Sequence, residues 1–179
     1  GVGGACLSKD PYILANVCKK TGVDSSLITQ GRAINEYMPI HTSNLVIKKL
    51  RELKIKINNS KIMIFGFAFK GIPETSDMRD SPSIDLVKEL QNKSVKILGH
   101  DPLVKDEEIE NLGVKLTSIS DGFAIADAII IMINHPIYSD FDINSLTKGR
   151  KTPLVLMDSW NLYQDGEFSS NDKIIHLHI

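Results

Sequence analysis

The sequence predicts an α/β protein: a helical region followed by a Rossmann-like, doubly wound parallel sheet. Three observations carry that prediction. From residue 10 to about 57, apolar residues recur mainly at intervals of three and four, as one face of a helix requires. After the polar triplet Asn58-Asn59-Ser60 the period changes, and short apolar runs alternate with helix-length segments. Several of those runs, 62–65 and 128–133 among them, are apolar at every position, which is how strands covered on both faces read.

The elements follow in order. Asp10-Pro11 reads as a helix entry, with the acid as N-cap and proline at the first helical position, and Thr21-Gly22 ends that helix. A longer helix begins near Asp24-Ser25, its apolar positions running from Leu27 to Leu53, and Pro39 is expected to kink or interrupt it. Residues 61–66 form the first strand, and Ser81-Pro82 opens a helix to about Leu90. Strands are expected at 94–99, 114–116, 128–133 and 154–157, with short helices at 106–112, 120–126 and 141–146. Residues 174–177 are a candidate last edge strand. The domain boundary is placed at the polar triplet, giving a helical region over 1–58 and a sheet domain over 59–179.

Composition narrows the function. The 179 residues are 42% hydrophobic and 24% charged, enough for a sizeable core. Lys+Arg 21 against Asp+Glu 22 leaves a net charge of −1, so no basic field points to nucleic acid or to an anionic membrane. The longest apolar stretch, 124–133, is broken by Asp127 and too short to span a bilayer, and no signal peptide is visible. Two cysteines, Cys6 and Cys18, do not make a disulfide framework, which suits a reducing cytoplasmic compartment. Gly1-Val2-Gly3-Gly4 opens the chain inside a glycine-rich loop with no initiator methionine, so a fragment lacking an N-terminal partner domain is expected.

Open parallel sheets bind ligands beyond the carboxyl ends of their strands. The loops to inspect are 66–81, 100–102, 134–138 and 158–163. The first carries Gly66-Phe67-Ala68-Phe69-Lys70-Gly71 and ends in Asp77-Met78-Arg79-Asp80-Ser81-Pro82. It is neither a GxGxxG turn nor a P-loop, yet Lys70 and Arg79 near a helix N-terminus suit a phosphorylated ligand. Solvated charges paired with Glu74 or Asp80 are the alternative. Cys6 raises the same choice. Ahead of a helix N-terminus and beside Lys9, its thiolate would be stabilised, with Asp10 placed to move a proton; a small buried thiol followed by a capping acid is the other reading. Cys18 reads as core. The five histidines match no metal-ligand spacing, and no metal is expected.

Gly1-Val2-Gly3-Gly4-Ala5-Cys6-Leu7-Ser8-Lys9-Asp10-Pro11 resembles the catalytic-cysteine motif of the UDP-glucose/GDP-mannose dehydrogenases, the nucleotide-sugar 6-dehydrogenases. Gly66-Phe67-Ala68-Phe69-Lys70 and Asp77-Met78-Arg79-Asp80-Ser81-Pro82 resemble a second signature of that family. Asn35-Glu36-Tyr37-Met38-Pro39, Asp101-Pro102 and Asp158-Ser159-Trp160-Asn161 fall in family order.

The resemblance implies a central helical region that dimerises and a nucleotide-sugar (UDP) domain, with the NAD-binding N-terminal domain absent from this chain. It implies oxidation of a UDP-sugar at C6 to the uronate, in a homodimer joined through the long helix. Cys6 would be the nucleophile and Asp10 would assist with a proton or the hydrolytic water. Val2 and Gly3 would contact substrate through their backbone, Phe69 and Lys70 would hold the sugar nucleotide, and Lys9 and Arg79 would lie towards NAD. Three departures stand out. Ser8 replaces a proline of many members, Ala5 a histidine of some, and Trp160 stands where some place an arginine, with Arg150 too far back to substitute.

Overall fold

A computed structural model describes residues 1–164, 166–168 and 170–178. Helix α1 spans Asp10–Thr21 and ends because Gly22 adopts a left-handed φ of 72°, returning its N–H to the Cys18 carbonyl. Asp10 is the first helical residue, not the cap; Lys9 holds that position, and no side chain caps the helix. Helix α2, Ser26–Glu52, runs unbroken through Pro39, contrary to the expected interruption. Its two halves have different fates. Leu27 is 86% and Ile34 64% exposed, whereas Val46 and Leu50 are fully buried. The second half of α2 packs on α3 (Pro82–Gln91) and on β5 (Leu154–Asp158).

The remaining elements are β1 (Lys61–Phe65), β2 (Lys96–His100), α4 (Asp106–Glu110), β3 (Lys115–Leu116), α5 (Ile119–Ile125), β4 (Ala128–Ile131), α6 (Pro136–Ser139), α7 (Ile143–Leu146) and β6 (Ile174–His178). A 3₁₀ turn over Ile57–Asn59 overlaps the polar triplet at which the domain boundary is placed. Helix α6 was not anticipated; Pro136 at its first turn and the His135 side chain accepting from Ile137 N–H are its signals.

The six strands are all parallel, in the order β3-β2-β1-β4-β5-β6. This is the doubly wound arrangement, with β6 on the edge as anticipated. Alternation along β1 divides the core. Ile62 and Ile64 face α2 and α3 with Leu50, Leu86 and Leu90, while Met63 and Phe65 face the α5 side with Phe123, Ile129 and Tyr138. Each fully buried Leu or Ile contributes about 1.5–3 kcal/mol. Strand order reverses between β1 and β4, so the crevice lies beyond Phe65 and Ile131. No helix among the described residues is long and apolar enough to cross a membrane.

Candidate active site

The loop 66–81 leaves β1 at that crevice and is tied down along its length. Gly66 turns at φ 94°, where only glycine is comfortable, and a Cβ there would strike the Ile133 side chain. Asp101, just past β2, clips two backbones together. Its Oδ2 accepts from Phe67 N–H at 2.6 Å and Ala68 N–H at 3.2 Å, and its Oδ1 accepts from Leu103 and Val104 N–H at 2.9 Å each. Ser83 Oγ donates to the Gly66 carbonyl at 2.8 Å, and Ser81 Oγ to that of Ala68 at 3.2 Å. Farther out, Gly71 N–H donates to Asn134 Oδ1 at 3.1 Å, and His135 Nε2 meets Glu74 at 3.0 Å. Phe69 and Lys70 emerge half-buried from this frame, the ammonium 5.2 Å from the Phe69 ring centroid.

The cysteine segment lies against the same loop. Gly4 N–H donates to the Asp80 carbonyl at 3.4 Å, and Ser8 Oγ to the Asp80 carboxylate at 2.8 Å. Gly3 and Gly4 are buried; Gly3 passes against the Asp80 carbonyl and the Pro82 ring, and Gly4 against the Phe69 ring. Cys6 itself is exposed. Its carbonyl accepts from Asp10 N–H at 2.9 Å, which starts α1. Val2 is also exposed, and Lys9 pairs with Asp10 at 3.5 Å in open solvent, a contact of little energetic weight.

Arg79 is 75% exposed and bound to Asp77 at 2.6 Å through Nη2, with Nε 3.0 Å from both carboxylate oxygens. That fork holds the Asp77 carboxyl down at about 2. The guanidinium is raised in return, chiefly by its bond to Asp77 and to a smaller degree by the charges of Cys6 and Asp80.

A cavity of about 230 Å³ separates the cysteine segment from α2, lined by Gly3, Ser8, Arg32, Asn35, Glu36 and Asp80 among others. A second, of about 360 Å³, lies between Val2, Asn35, Met38, Ser159 and Trp160. Trp160 is fixed there by Nε1–H donating to the Met132 carbonyl at 2.8 Å. Arg150 takes no part in the site. It is buried, donating to the carbonyls of Phe123 and Ala126. His100 bonds the Tyr138 hydroxyl at 3.0 Å, and burial lowers its pKa.

The sheet does not fit a dinucleotide such as NAD. Gly66 is closed off by Ile133, and Phe67 and Ala68 fill the core where a pyrophosphate cradle would open. The structure sets Gly3 and Gly4 against Asp80, Pro82 and Phe69, with Cys6 exposed two residues on, Lys70 next to Phe69, Arg79 next to Asp80, Val2 held by Asn35 of α2, and Lys9 and Asp10 at the start of α1. The holding roles of Asp80, Asn35 and Asp101 escaped the sequence reading, because each acts across 33 or more residues of chain.

Comparison with known proteins agrees with this architecture. Residues 63–165 match the UDP-binding domain, and residues 1–37 the central domain, of the UDP-glucose/GDP-mannose dehydrogenase family. The UDP-N-acetyl-D-mannosamine dehydrogenase of Pyrococcus horikoshii is 32% identical over 165 residues, covering 92% of this chain and 36% of that protein. UDP-glucose 6-dehydrogenase TuaD of Bacillus subtilis is 27% identical over 179 residues, covering 98% and 37%. The solved structure of the Pyrococcus horikoshii UDP-D-ManNAc dehydrogenase superposes with a TM-score of 0.82 at 32% identity, over all of this chain and 38% of that one. An NDP-N-acetyl-D-galactosaminuronic acid dehydrogenase from Methanosarcina mazei gives 0.83 at 28%, again over 100% and 38%. The chain spans a little over a third of the length of these relatives, and with both domain models matched in order it belongs to the UDP-glucose/GDP-mannose dehydrogenase family.

Proposed function

We propose that the protein containing this chain is an NAD-dependent UDP-sugar 6-dehydrogenase with Cys6 as its covalent nucleophile. The observation that carries the reading is an exposed thiol on a loop docked against Phe69 and Asp80, at the mouth of a parallel-sheet crevice. NAD, when bound, supplies the hydride acceptor for both oxidations. The work of this chain is the rest. Phe69 and Lys70 hold the UDP-sugar, the ammonium neutralising phosphate charge. The C6 alcohol loses a hydride and a proton to become an aldehyde. The Cys6 thiolate adds to that carbonyl carbon while the carbonyl oxygen takes up the proton released from the alcohol, giving a thiohemiacetal that keeps the aldehyde from escaping. Loss of a second hydride and the hydroxyl proton yields a thioester on Sγ. Water, its proton taken by Asp10, cleaves the thioester to the carboxylate and returns the thiol.

Gly3 offers its backbone groups to the substrate, Val2 only the second lone pair of a carbonyl already held by Asn35, and Lys9 and Arg79 face the cofactor side. A free thiolate needs a reducing compartment, so the reading places the enzyme in the cytoplasm. Tyr12, Ile13, Val17, Leu27 and Ile34 leave an apolar face open on α1 and the first half of α2, which supports a homodimer formed there. Neither nucleic acid nor a membrane is a partner in this reading. The deciding experiment is Cys6→Ser in the full protein, assayed with UDP-glucose and UDP-N-acetylmannosamine. Acid formation should stop while substrate binding persists; a variant that still makes uronate overturns the nucleophile assignment.

A second reading concerns the chain alone, with its six-stranded sheet: a UDP-sugar-binding and dimerisation module without chemistry. Calorimetry with UDP should then show binding without NAD reduction, and Lys70→Ala should weaken it by about 1–3 kcal/mol. No UDP binding would reject the module.

A further inference from the structure

The cysteine segment is gripped from both sides. Asp80 and Pro82 hold one; the other is held by Asn35, near the middle of α2. Asn35 Oδ1 accepts from Val2 N–H at 2.8 Å, and Asn35 Nδ2 donates to the Val2 carbonyl at 2.8 Å. A planar amide that satisfies both polar groups of one residue does what a neighbouring strand would do: it fixes that peptide's position and its rotation. No other uncharged side chain of this reach carries the donor and acceptor together. Aspartate keeps only the acceptor, and leucine keeps neither.

The helix is shaped for the grip. Pro39 has no N–H, so the Asn35 carbonyl lacks its usual donor four residues on. Gly1 packs beside that carbonyl, which lies 3.2 Å from where a Gly1 Cβ would stand. Farther along, Val46 and Leu50 are sunk in the core, so α2 carries the rigidity of the sheet domain out to Val2.

We propose that Asn35 is a positioning residue for the thiol. By holding the Val2 peptide it sets the path of residues 2–6, and with it the place of Cys6 Sγ at the crevice. The proposal rests on the reading of Cys6 as nucleophile. Displacing a reacting atom by about 1 Å costs about 100-fold in rate, so a clamp two hydrogen bonds strong is enough to matter.

The test uses the intact enzyme and whichever of UDP-glucose and UDP-N-acetylmannosamine the wild type oxidises. Asn35→Ala should lower kcat for acid formation roughly 10- to 100-fold. KM should stay within about threefold, because the nucleotide is held elsewhere. Asn35→Asp should match the alanine variant at about pH 8, because a carboxyl of ordinary value about 3.9 is ionised there and cannot donate to the Val2 carbonyl. Wild-type kcat in Asn35→Ala or in Asn35→Asp overturns the proposal. Cys6→Ser run alongside separates the two failures. If it still makes acid, the nucleophile reading has failed; if it does not while Asn35→Ala is unimpaired, only the positioning role has.

Discussion

The Ser8 hydroxyl donates to the Asp80 carboxylate at 2.8 Å, joining segments 72 residues apart. Asp80 holds a left-handed φ of 53° while its carbonyl accepts from Gly4 N–H. This one residue therefore fastens the cysteine segment by both its backbone and its side chain. Gly3 completes the seam, since a methyl group there would strike the Asp80 carbonyl and the Pro82 ring. Backbone cannot swing aside as a flexible side chain can. Gly3→Ala should release the segment without unfolding the sheet. Amide hydrogen exchange across residues 2–8 should rise roughly tenfold or more, while the melting temperature shifts by less than about 4 °C. Unchanged exchange would refute the docking.

Asp101 uses both carboxylate oxygens on four backbone donors. In Asp101→Asn an amino group must face two N–H donors, leaving them unpaired. We expect a loss of roughly 2–4 kcal/mol in urea denaturation. UDP affinity should fall as well, because Phe69 and Lys70 follow directly from the clipped Phe67-Ala68 peptide. Wild-type stability would show that the carboxylate's second oxygen does nothing.

The Asp77–Arg79 fork sets a pH window. The Asp77 carboxyl is lowered from 3.8 to about 2, chiefly by its hydrogen bond to Arg79. A depressed acid stabilises the fold above its ordinary value, and that contribution is lost as pH falls from 3.8 through about 2. Carboxyl-carbon NMR titration should place the Asp77 midpoint near 2, and Arg79→Ala should return it towards 3.8. A wild-type midpoint at the ordinary value would mean the fork is open in solution.

His100 works in the opposite pH range. Burial lowers its pKa from 6.5, so the folded chain resists a proton that the unfolded chain accepts. Its contribution is complete above 6.5 and declines as pH falls below that value. Replacing it with glutamine, which preserves a partner for the Tyr138 hydroxyl, should flatten the stability profile between about pH 6.5 and pH 5. Parallel profiles for variant and wild type would contradict a buried neutral ring.

What the sequence determined by itself were features whose causes are local. The all-apolar run of β4, the Ser81-Pro82 entry to α3 and the Gly22 stop of α1 each depend on neighbours within a few residues. Cys6, Phe69, Lys70 and Arg79 were legible as candidates because they sit in short contiguous motifs. Pro39 does not interrupt α2, since propensity speaks for an isolated helix, whereas α2 is anchored by Val46 and Leu50 in the core. Asp10 was misread as a cap because capping is decided by dihedral angles rather than residue type. Only the tertiary structure decided how the cysteine segment is held, through Asn35 on one side and Asp80 on the other. Those contacts are few, polar and distant in sequence, so they leave no periodicity to read, and the chain must fold before they exist.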